Sequence, residues 1–449
     1  MTETIELALK TLEAQLNQPL ETALEACARC GICAEACHYY RAEPKVEHIP
    51  AYRAEQLRNV YRYEHDFISR LFPVWTRAKK LDETTLANLT EIAFSQCTLC
   101  RRCTVNCPLG VDTPLMMRAI RAMATAAGTA PEILVMLADA AIEKGKDPSF
   151  YKEMFLEQIA DMEKQLRDIT GDENATIPVE KQGAKILYVP LAGAHTILPP
   201  AVVFNAAQED WTLSIFEASN YGVFLADVNR AKQVAKRIVD EANRLGVEEI
   251  VISECGHAYA CYRWDVPNWF AGQFDFKVRS LIEVLAGYIS DGKIKVDPTA
   301  IPGSVTYHDS CNLARNGGLL EEPRYVLKSI VRDFREMTPN KAEALCCGGG
   351  GGIVALAEYA ERRIAAGKPK ADQIKSTGAR TVVAACENCR FAACENCRLQ
   401  IGDLNEHYNL NIHVTALTDL VVQAMRLPKP LPGMEAEHLF EGEQVEVPR

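Results

Sequence analysis

The stretch CARCGICAEAC, residues 27–37, and its counterpart CTLCRRCTVNC, residues 97–107, decide the fold of the N-terminal part of this chain. Each stretch places four cysteines in the spacing CxxCxxCxxxC, which is typical of the thiolate ligands of paired [4Fe-4S] cubane clusters. The two runs hold eight of the 17 cysteines, namely Cys27, Cys30, Cys33, Cys37, Cys97, Cys100, Cys103 and Cys107. We therefore predict two cubane clusters and a protein that transfers electrons.

The spacing also predicts how the two runs share their clusters. In two-cluster ferredoxins, the fourth cysteine of each run binds the cluster of the other run. One predicted cubane therefore has the ligands Cys27, Cys30, Cys33 and Cys107, and the other has Cys97, Cys100, Cys103 and Cys37. The second run ends in Cys107-Pro108, as in bacterial ferredoxins, whereas the first ends in Cys37-His38. Zinc is the alternative metal, but zinc ribbons usually present separated CxxC pairs rather than four thiols in one short run.

The composition favours a globular protein that works with protein partners. The 449 residues are 48% hydrophobic, enough for roughly two to four domains. The net charge of −11 argues against nucleic acid as a partner. The N-terminus lacks the basic start and apolar core of a signal peptide, so we expect a cytoplasmic protein. The longest uncharged stretch, residues 186–208, contains three prolines, so we expect no spanning helix and membrane contact only through a partner.

The pattern along the chain predicts an α+β multidomain protein. Residues 1–150 are typical of an α-helical two-cluster ferredoxin domain, and residues 151–182 of a helix and a linker. Residues 183–425 alternate strands with helices, which predicts parallel sheets, and residues 426–449 form a Pro-rich acidic tail. Between the two cysteine runs, an insert carries apolar side chains that we expect to pack in a helical core: Tyr61, Tyr63, Phe67, Leu71, Phe72 and Trp75.

The region 183–425 is predicted to be a duplication with halves at 183–290 and 291–425. The expected strands are 185–189, 249–253, 305–308 and 380–384, and the expected helices are 229–245, 321–334 and 355–376. In the second half, the strands deliver Cys311 and Cys386, with Cys346-Cys347-Gly348 between them. In the first half, only Cys255 remains at an expected ligand position. We therefore predict that the first half is a degenerate scaffold.

The second half contains a further set of clustered cysteines. Cys311, Cys346, Cys347, Cys386 and Cys389 supply five thiolates, so either one thiol is spare or the cluster is not an ordinary cubane. The five glycines at 348–352 allow the backbone to pass close to a cofactor. The sequence ACENCR occurs at both 385–390 and 393–398, so Cys394 and Cys397 compete for the last two positions. The spacing from Gly348 favours Cys386 and Cys389.

This arrangement resembles the CCG domain of heterodisulfide reductase catalytic subunits. With the two ferredoxin runs, it is most similar to the D-type heterodisulfide reductase subunit and to the K subunit of the Dsr membrane complex, over roughly residues 20–425. The resemblance implies a non-cubane [4Fe-4S] cluster in the CCG domain, where a disulfide is reduced, and a membrane cytochrome b-type partner. Those reductases carry two complete CCG motifs, whereas this chain carries one, so we predict a single non-cubane cluster.

The expected function is that of a cytoplasmic electron-transfer subunit in a membrane-associated redox complex. It would pass electrons between a cytochrome b or quinone partner and a disulfide-type acceptor, such as a small DsrC-like thiol protein. The alternative is a non-catalytic relay between hydrogenase subunits, or another dehydrogenase, and a membrane quinone module. Loss of the first CCG motif favours the relay. A neighbouring gene for a DsrC-like thiol carrier would support the reductase, and adjacent hydrogenase genes would support the relay.

Five further residues carry expectations. His257 and His308 lie next to expected cluster positions and are either proton donors to a thiolate product or hydrogen-bonded structural residues. Arg101 and Arg102 are expected on a solvated face. Cys255 either faces the cluster or is buried as a small apolar residue.

Overall fold

The computed structural model describes residues 2–191, 193–386 and 397–432. Helices alone form the described N-terminal part up to Thr170, apart from one short 3₁₀ turn. They are α1 (Glu3–Gln15), α2 (Gln18–Glu25), α3 (Cys33–Ala36), α4 (His38–Ala42), α5 (Pro50–His65), α6 (Phe67–Leu71), α7 (Pro73–Thr76), α8 (Glu83–Ser95), α9 (Arg102–Val105), α10 (Thr113–Ala126), α11 (Glu132–Lys146) and α12 (Ser149–Thr170). Polar side chains accept from first-turn N–H groups where several of them begin, as Asp82 does for α8 and Asp112 for α10.

Helix α10 is the centre of this N-terminal domain. Its side chains Met116, Met117, Ile120 and Met123 are fully buried, and α1, α2, α5 and α8 all pack against it. The cysteine runs lie in loops and short helical turns at one end of this bundle. Their backbone therefore derives its position from the helices on either side rather than from a sheet.

Two parallel sheets follow. The first contains β1 (Ile186–Val189), β2 (Trp211–Leu213), β3 (Glu249–Ile252) and β4 (Lys277–Ser280), and the second contains β5 (Ser304–His308), β6 (Asp333–Arg335), β7 (Thr381–Ala384) and β8 (His413–Thr415). Their strand orders are β2-β1-β3-β4 and β6-β5-β7-β8, and every described pairing is parallel. The two halves therefore share one topology, as a duplication requires.

Helices connect and cover these strands. In the first half they are α13 (Leu198–Ala206), α14 (Tyr221–Leu225), α15 (Val228–Leu245), α16 (Gly256–Ala260), α17 (Val266–Trp269) and α18 (Leu281–Ser290), and in the second half α19 (Glu322–Ile330), α20 (Ala360–Thr377), α21 (Cys397–Tyr408) and α22 (Leu417–Ala424). The inner strands β1, β3, β5 and β7 are buried along their whole length. Helices α18, α19 and α22 pack together where the two halves meet.

The α+β fold class is confirmed, and several sequence predictions need correction. The expected helix at 321–334 is instead α19 followed by the edge strand β6, because the chain turns after Val331. The helix expected from residue 355 begins at Ala360, after two 3₁₀ turns. The insert is not the expected core: Phe67, Leu71, Phe72 and Trp75 are exposed. None of the described helices is both long enough and apolar enough to cross a membrane.

Candidate functional site

The C-terminal cysteines meet at one edge of the second sheet. His308 is the last residue of β5, and Cys311 lies three residues beyond it, while Cys386 lies two residues after the end of β7. The carboxyl ends of neighbouring parallel strands meet at one edge, where such folds place their ligand sites. The loop before α20 brings Cys346 and Cys347 to the same edge, and α21 begins there with Cys397.

A buried ion pair holds the loop that carries Cys311. The Arg324 guanidinium donates to both carboxylate oxygens of Asp309, at 2.8 Å each, and the backbone N–H of Lys341 donates to the same carboxylate. Although burial raises the pKa of Asp309, the Arg324 charge and hydrogen bonds hold it below its usual value. Asp309 is therefore ionised at neutral pH and fixes the chain between β5 and Cys311.

The thiols at this edge are buried and close to one another. The Sγ atoms of Cys347 and Cys397 are 3.6 Å apart, and the backbone N–H of Gly348 points at Cys346 Sγ from 3.4 Å. Hydrogen bonds from the thiols of Cys100, Cys311 and Cys347 hold the pKa of Cys346 well below its usual value. Cys386 interacts in the same way with Cys397. Cys389 and Cys394 lie outside the described residues, so the choice between the two repeated pairs stays open at those positions.

The ferredoxin cysteines form a second set. A small cavity of about 20 Å³ is lined by the side chains of Cys37, Cys97, Cys100 and Cys103. Arg53, which is buried on α5, donates from Nη2 to Cys37 Sγ at 3.0 Å. Burial acts to raise the pKa of Cys37, but the Arg53 charge lowers it below its usual value. The cysteines expected to bind the other cubane are closer to solvent, since Cys30 is exposed and Cys27, Cys33 and Cys107 are half-buried.

The two sets of sulfurs touch at Cys346. Side-chain atoms of His38, Cys100 and Cys346 all lie within 4.8 Å of one another. The Thr98 hydroxyl is 3.3 Å from Cys346 Sγ. The first CCG cysteine is therefore in direct contact with a residue of the second ferredoxin run, which lies more than 240 residues earlier in the chain.

Near the contact between Cys346 and Cys100, three arginines form hydrogen bonds between the N-terminal domain and the two halves that follow it. Arg121 on α10 is fully buried and donates to the carbonyls of Ala93, Cys97, Phe224 and Gly351, at 2.6–3.1 Å. Arg315 donates to Cys100 O at 2.6 Å, and Arg102 donates to Ala36 O and Glu343 O at 2.9 Å. The expectation of a solvated face is therefore wrong for Arg102, whereas Arg101 is exposed and pairs with Asp112.

The donor set fits iron–sulfur groups. His308, within 4.8 Å of Cys347 and Cys397, has two buried ring nitrogens without a hydrogen-bond partner among the described residues, and His38 Nε2 is in the same state. Gly351 passes so close to Thr98 that an added Cβ would lie 3.0 Å from its carbonyl carbon. Clustered buried thiols are the ligands of an iron–sulfur centre, and the unpartnered imidazole nitrogens and the glycine backbone are compatible with a group bound among them.

His257 lies in a different environment from His308. Its Nε2 accepts a hydrogen bond from the backbone N–H of Asn220 at 3.2 Å, and its Nδ1 is 3.4 Å from Cys255 Sγ. Burial lowers the pKa of His257 to about 4, so the ring is neutral at pH 7. Cys255 is itself buried in the hydrophobic core of the first half.

A pocket of about 360 Å³ opens between the N-terminal domain and the first half. Its lining includes His257, Cys261 and Trp264 of the first half, and Thr98, Asn312 and Gly351. Asn312 follows Cys311 directly, and Thr98 contacts Cys346. The pocket therefore leads from the surface to the neighbours of two CCG cysteines.

Sequence reasoning missed several residues of this site. In the sequence, His38 stands out only because it follows the last cysteine of its run where the other run has Pro108. Its contact with Cys346 depends on how the two domains pack. Lys370 on α20 is fully buried beside the same thiols, and its pKa is lowered to about 8 by burial. Its sequence context, a helix with a proline beside it, gave no signal of this position.

Two family models match the chain. Residues 23–111 match the 4Fe-4S dicluster domain, and residues 305–393 match the cysteine-rich domain named CCG. These segments contain both ferredoxin runs, and Cys311, Cys346, Cys347, Cys386 and Cys389.

Curated relatives match over most of the chain. It is 30% identical over 395 residues to an Hdr-like menaquinol oxidoreductase iron-sulfur subunit of Archaeoglobus profundus, covering 77% of this chain and 70% of that protein. A second such subunit, from Archaeoglobus fulgidus, is 31% identical with coverage of 78% and 71%. The D-type subunit of the dihydromethanophenazine:CoB-CoM heterodisulfide reductase of Methanosarcina barkeri is 24% identical, with coverage of 90% and 94%. No solved structure gives a significant match.

Proposed function

Because the chain belongs to the family of Hdr-like iron-sulfur oxidoreductase subunits, we propose that it transfers electrons from a membrane cytochrome b or quinone partner to a disulfide-type acceptor. The acceptor is reduced at the CCG site, and the ferredoxin clusters supply the electrons. In this assignment the protein works on the cytoplasmic side of the membrane within a larger complex. A small thiol protein of the DsrC type fits the acceptor.

The proposed cofactors follow the sequence expectation. Two [4Fe-4S] cubanes are bound in the crossed pattern, and the cavity lined by Cys37, Cys97, Cys100 and Cys103 supports one of them. One non-cubane [4Fe-4S] cluster is bound by Cys311, Cys346, Cys347, Cys386 and Cys389, with Cys397 as the alternative to Cys389. The contact between the Sγ atoms of Cys347 and Cys397 supports a place for Cys397 in this set.

The contact of Cys346 with Cys100 carries the proposal. Cys100 belongs to one proposed cubane and Cys346 to the CCG site, and both lie within 4.8 Å of His38. Ligands of two centres that touch give electrons a short covalent and hydrogen-bonded route between them. Nothing in this arrangement requires a mobile carrier between the two domains.

Reduction of a disulfide consumes two electrons and two protons and yields two thiols. A bound iron–sulfur centre supplies the electrons singly and offers iron to a substrate sulfur. The pocket whose lining includes Thr98, Asn312 and Gly351 is the proposed route by which the acceptor reaches the site. Of the two candidate proton donors, His308 is nearer the CCG thiols, because it lies beside Cys347 and both of its ring nitrogens are unbonded among the described residues. Burial lowers the pKa of His308 to about 3, so its ring is neutral at pH 7 and can donate only a proton that it has first taken up. Nε2 of His257 is already an acceptor.

Electron paramagnetic resonance tests this proposal. The purified chain with its clusters is oxidised and then mixed anaerobically with thiol or disulfide substrates. We expect a new paramagnetic signal that requires substrate and disappears in Cys346→Ser. If fully loaded protein gives no such signal within its intact complex, the disulfide reductase is excluded and the site is an electron relay.

A further inference from the structure

The insert between the two cysteine runs carries a protruding apolar surface on α6 and α7. Six large apolar side chains are exposed within nine residues: Phe67 72%, Ile68 64%, Leu71 56%, Phe72 51%, Val74 88% and Trp75 85%. Exposed apolar residues that occur singly are ordinary, whereas a contiguous group of this kind marks an interaction site.

In this segment a polar side chain is buried and the large apolar side chains are exposed. Ser69 is the buried residue of α6, at 1% exposure, and its hydroxyl donates to Asp66, while the large apolar side chains point away from the protein. The rings of Phe72 and Trp75 stack at 5.5 Å between centroids, so they hold one another in position. A segment that folds in order to bury its own side chains would show the opposite arrangement.

Positive charge surrounds these apolar side chains. Residues 67–81 contain Arg70, Arg77, Lys79 and Lys80 and no acidic residue, in a chain whose net charge is −11. All four side chains are exposed. Within the described part of the chain none of the four forms an ion pair closer than 4.0 Å, although Asp66 and Asp82 border the segment and Lys79 interacts with the Asp82 carboxylate at longer range. Arg70 donates to the carbonyls of Tyr63 and Glu64.

We propose that this surface, residues 67–80, binds directly to the interface of an anionic lipid bilayer. Aromatic and aliphatic side chains flanked by unpaired lysine and arginine are the composition of interfacial membrane-binding segments. The apolar side chains enter the headgroup region, and the four cations meet lipid phosphates. The rest of the acidic surface is repelled by such a bilayer, which restricts the contact to this segment. This binding is independent of the chemistry proposed above, and it replaces the expectation from the sequence that the protein contacts the membrane only through a partner. The segment lies on the membrane without crossing it.

The position of the surface gives the contact a consequence for electron transfer. Helix α5 connects Arg53, which donates to Cys37 Sγ, with the start of α6. At 1.5 Å per residue, Arg53 and His65 are about 18 Å apart along that helix. A bilayer bound by α6 and α7 therefore lies at the end of α5 that follows His65, about three helical turns along the chain from the arginine that contacts Cys37.

Vesicle flotation tests the proposal with the purified chain carrying its clusters. We expect the protein to float with vesicles of equimolar phosphatidylglycerol and phosphatidylethanolamine, and not with phosphatidylcholine vesicles. Val74→Ser with Trp75→Ser should weaken vesicle binding by about tenfold or more, because it removes two large apolar side chains from the binding surface. Both side chains are almost fully exposed, so we expect the two substitutions to leave the fold unchanged. Lys79→Glu with Lys80→Glu should weaken it by a similar factor, and salt should weaken the wild type. Iron content and circular dichroism verify that each variant is folded.

The matched control is Met136→Ser with Met154→Ser, two exposed apolar residues on α11 and α12. These changes should leave vesicle binding unaltered. The emission of Trp75 should shift to shorter wavelength on binding, and this shift should be absent in Trp75→Phe. The proposal is overturned if the wild type does not float, or if Val74→Ser with Trp75→Ser floats equally well. It is also overturned if the wild type proves to be a dimer that Val74→Ser with Trp75→Ser dissociates, since a second copy would then occupy this surface. Flotation that occurs only with a membrane subunit present would likewise overturn it, since the surface would then bind that subunit.

Discussion

At the residue scale, Cys346 is the point at which the chain joins its two kinds of cysteine motif. It is buried, its pKa is depressed by thiols from two domains, and Thr98 and Gly348 both direct polar groups at its sulfur. A thiolate is the form that binds iron. The same hydrogen bonds raise the pKa values of Cys100, Cys311 and Cys347, so among these thiols they favour the thiolate at Cys346.

The first prediction concerns Cys397, whose sulfur lies 3.6 Å from that of Cys347. We expect Cys397→Ser to lose about a third of the roughly twelve irons that three four-iron clusters contain, as Cys347→Ser should. The cubane signals in electron paramagnetic resonance should remain. Iron analysis of the two variants and of Cys389→Ser shows which of the repeated cysteines takes part.

Cys261→Ala is the control for this experiment. Cys261 is buried, but it packs in the core of the first half and lines the pocket rather than the cluster site. Its iron content should equal that of the wild type. Full iron content in Cys397→Ser would show that the contact with Cys347 has no part in metal binding.

The second prediction concerns the buried cation Lys370. Its Nζ donates to Gln373, and it interacts electrostatically with Cys346, Cys347 and Cys397. At an effective dielectric constant of about 20, the charge of this buried lysine contributes on the order of 2 kcal/mol at the site. Lys370→Met should therefore lower the reduction potential of the CCG-site cluster by roughly 90 mV for a one-electron couple. Redox titration measures the shift.

Lys368→Met provides the comparison, because Lys368 lies on the same helix but is exposed and pairs with Asp372. In Lys368→Met the reduction potential of the CCG-site cluster should change little, since solvent screens the charge of Lys368. Equal potentials in the Lys370→Met variant and the wild type would show that this lysine does not act on the cluster.

At the scale of elements, the sequence predicts what is repeated and buried, and it misses what depends on packing. The central strands β1, β3, β5 and β7 were found because each is a continuous apolar run. The edge strands β6 and β8 were missed because they are three residues long and lack such a run. Cysteine spacing identified the metal motifs, but the contact of His38 with Cys346 arises from domain packing, to which spacing gives no access.

The third prediction concerns Glu241, which links α15 to the end of β2. It accepts hydrogen bonds from the Ser214 hydroxyl and from the Ile215 N–H, and burial raises its pKa to about 7. A carboxyl whose pKa is raised on folding stabilises the fold fully below its unfolded pKa of about 4.5. This contribution is lost as the pH rises through 7.

Urea denaturation of the wild type and Glu241→Gln at several pH values measures this effect. The difference between their free energies of unfolding should change by about 3 kcal/mol between pH 4.5 and 7, with the wild type relatively more stable at the acidic end. Asp240→Asn, on the exposed neighbouring position, should leave the pH dependence as it is. A pH-independent difference for Glu241→Gln would contradict the assignment.

The fourth prediction concerns the link between α10 and both sheets. Arg121→Met leaves four buried carbonyls without their donor, which should cost about 3 kcal/mol or more and lower the thermal midpoint. Arg118→Met lies one turn earlier on α10, where the side chain is exposed, and should have little effect. Circular dichroism during heating distinguishes the two, and equal midpoints would show that the Arg121 hydrogen bonds contribute no net stability.

At the scale of the whole molecule, three segments that look separable in the sequence form one unit. The dicluster domain places Cys100 and Thr98 beside the CCG cysteine Cys346. In return, the Gly351 carbonyl of the second half accepts from Arg121 on α10, and Arg315 of the second half donates to Cys100 O. The first half has kept one cysteine at the expected ligand positions, but its helices α14 and α15 still pack on α10 and α11. Its role is therefore to position the other two parts and to provide a wall of the pocket.

The last prediction follows from this mutual dependence. The loop after α12 begins with the exposed residues 171–174, so a site for a specific protease inserted after Glu173 should be accessible and tolerated. After cleavage, we expect the two fragments to stay together in size-exclusion chromatography and to keep all their iron. The hydrogen bonds of Arg121, Arg315 and Arg102 join the fragments, and α10, α11, α14 and α15 pack across the same boundary.

Cleaved Arg121→Met should separate into its two fragments more readily under mild urea, whereas cleaved Arg118→Met should behave as the wild type. Fragments that separate in dilute buffer, each with its own iron, would show instead that the cysteine motifs form independent domains.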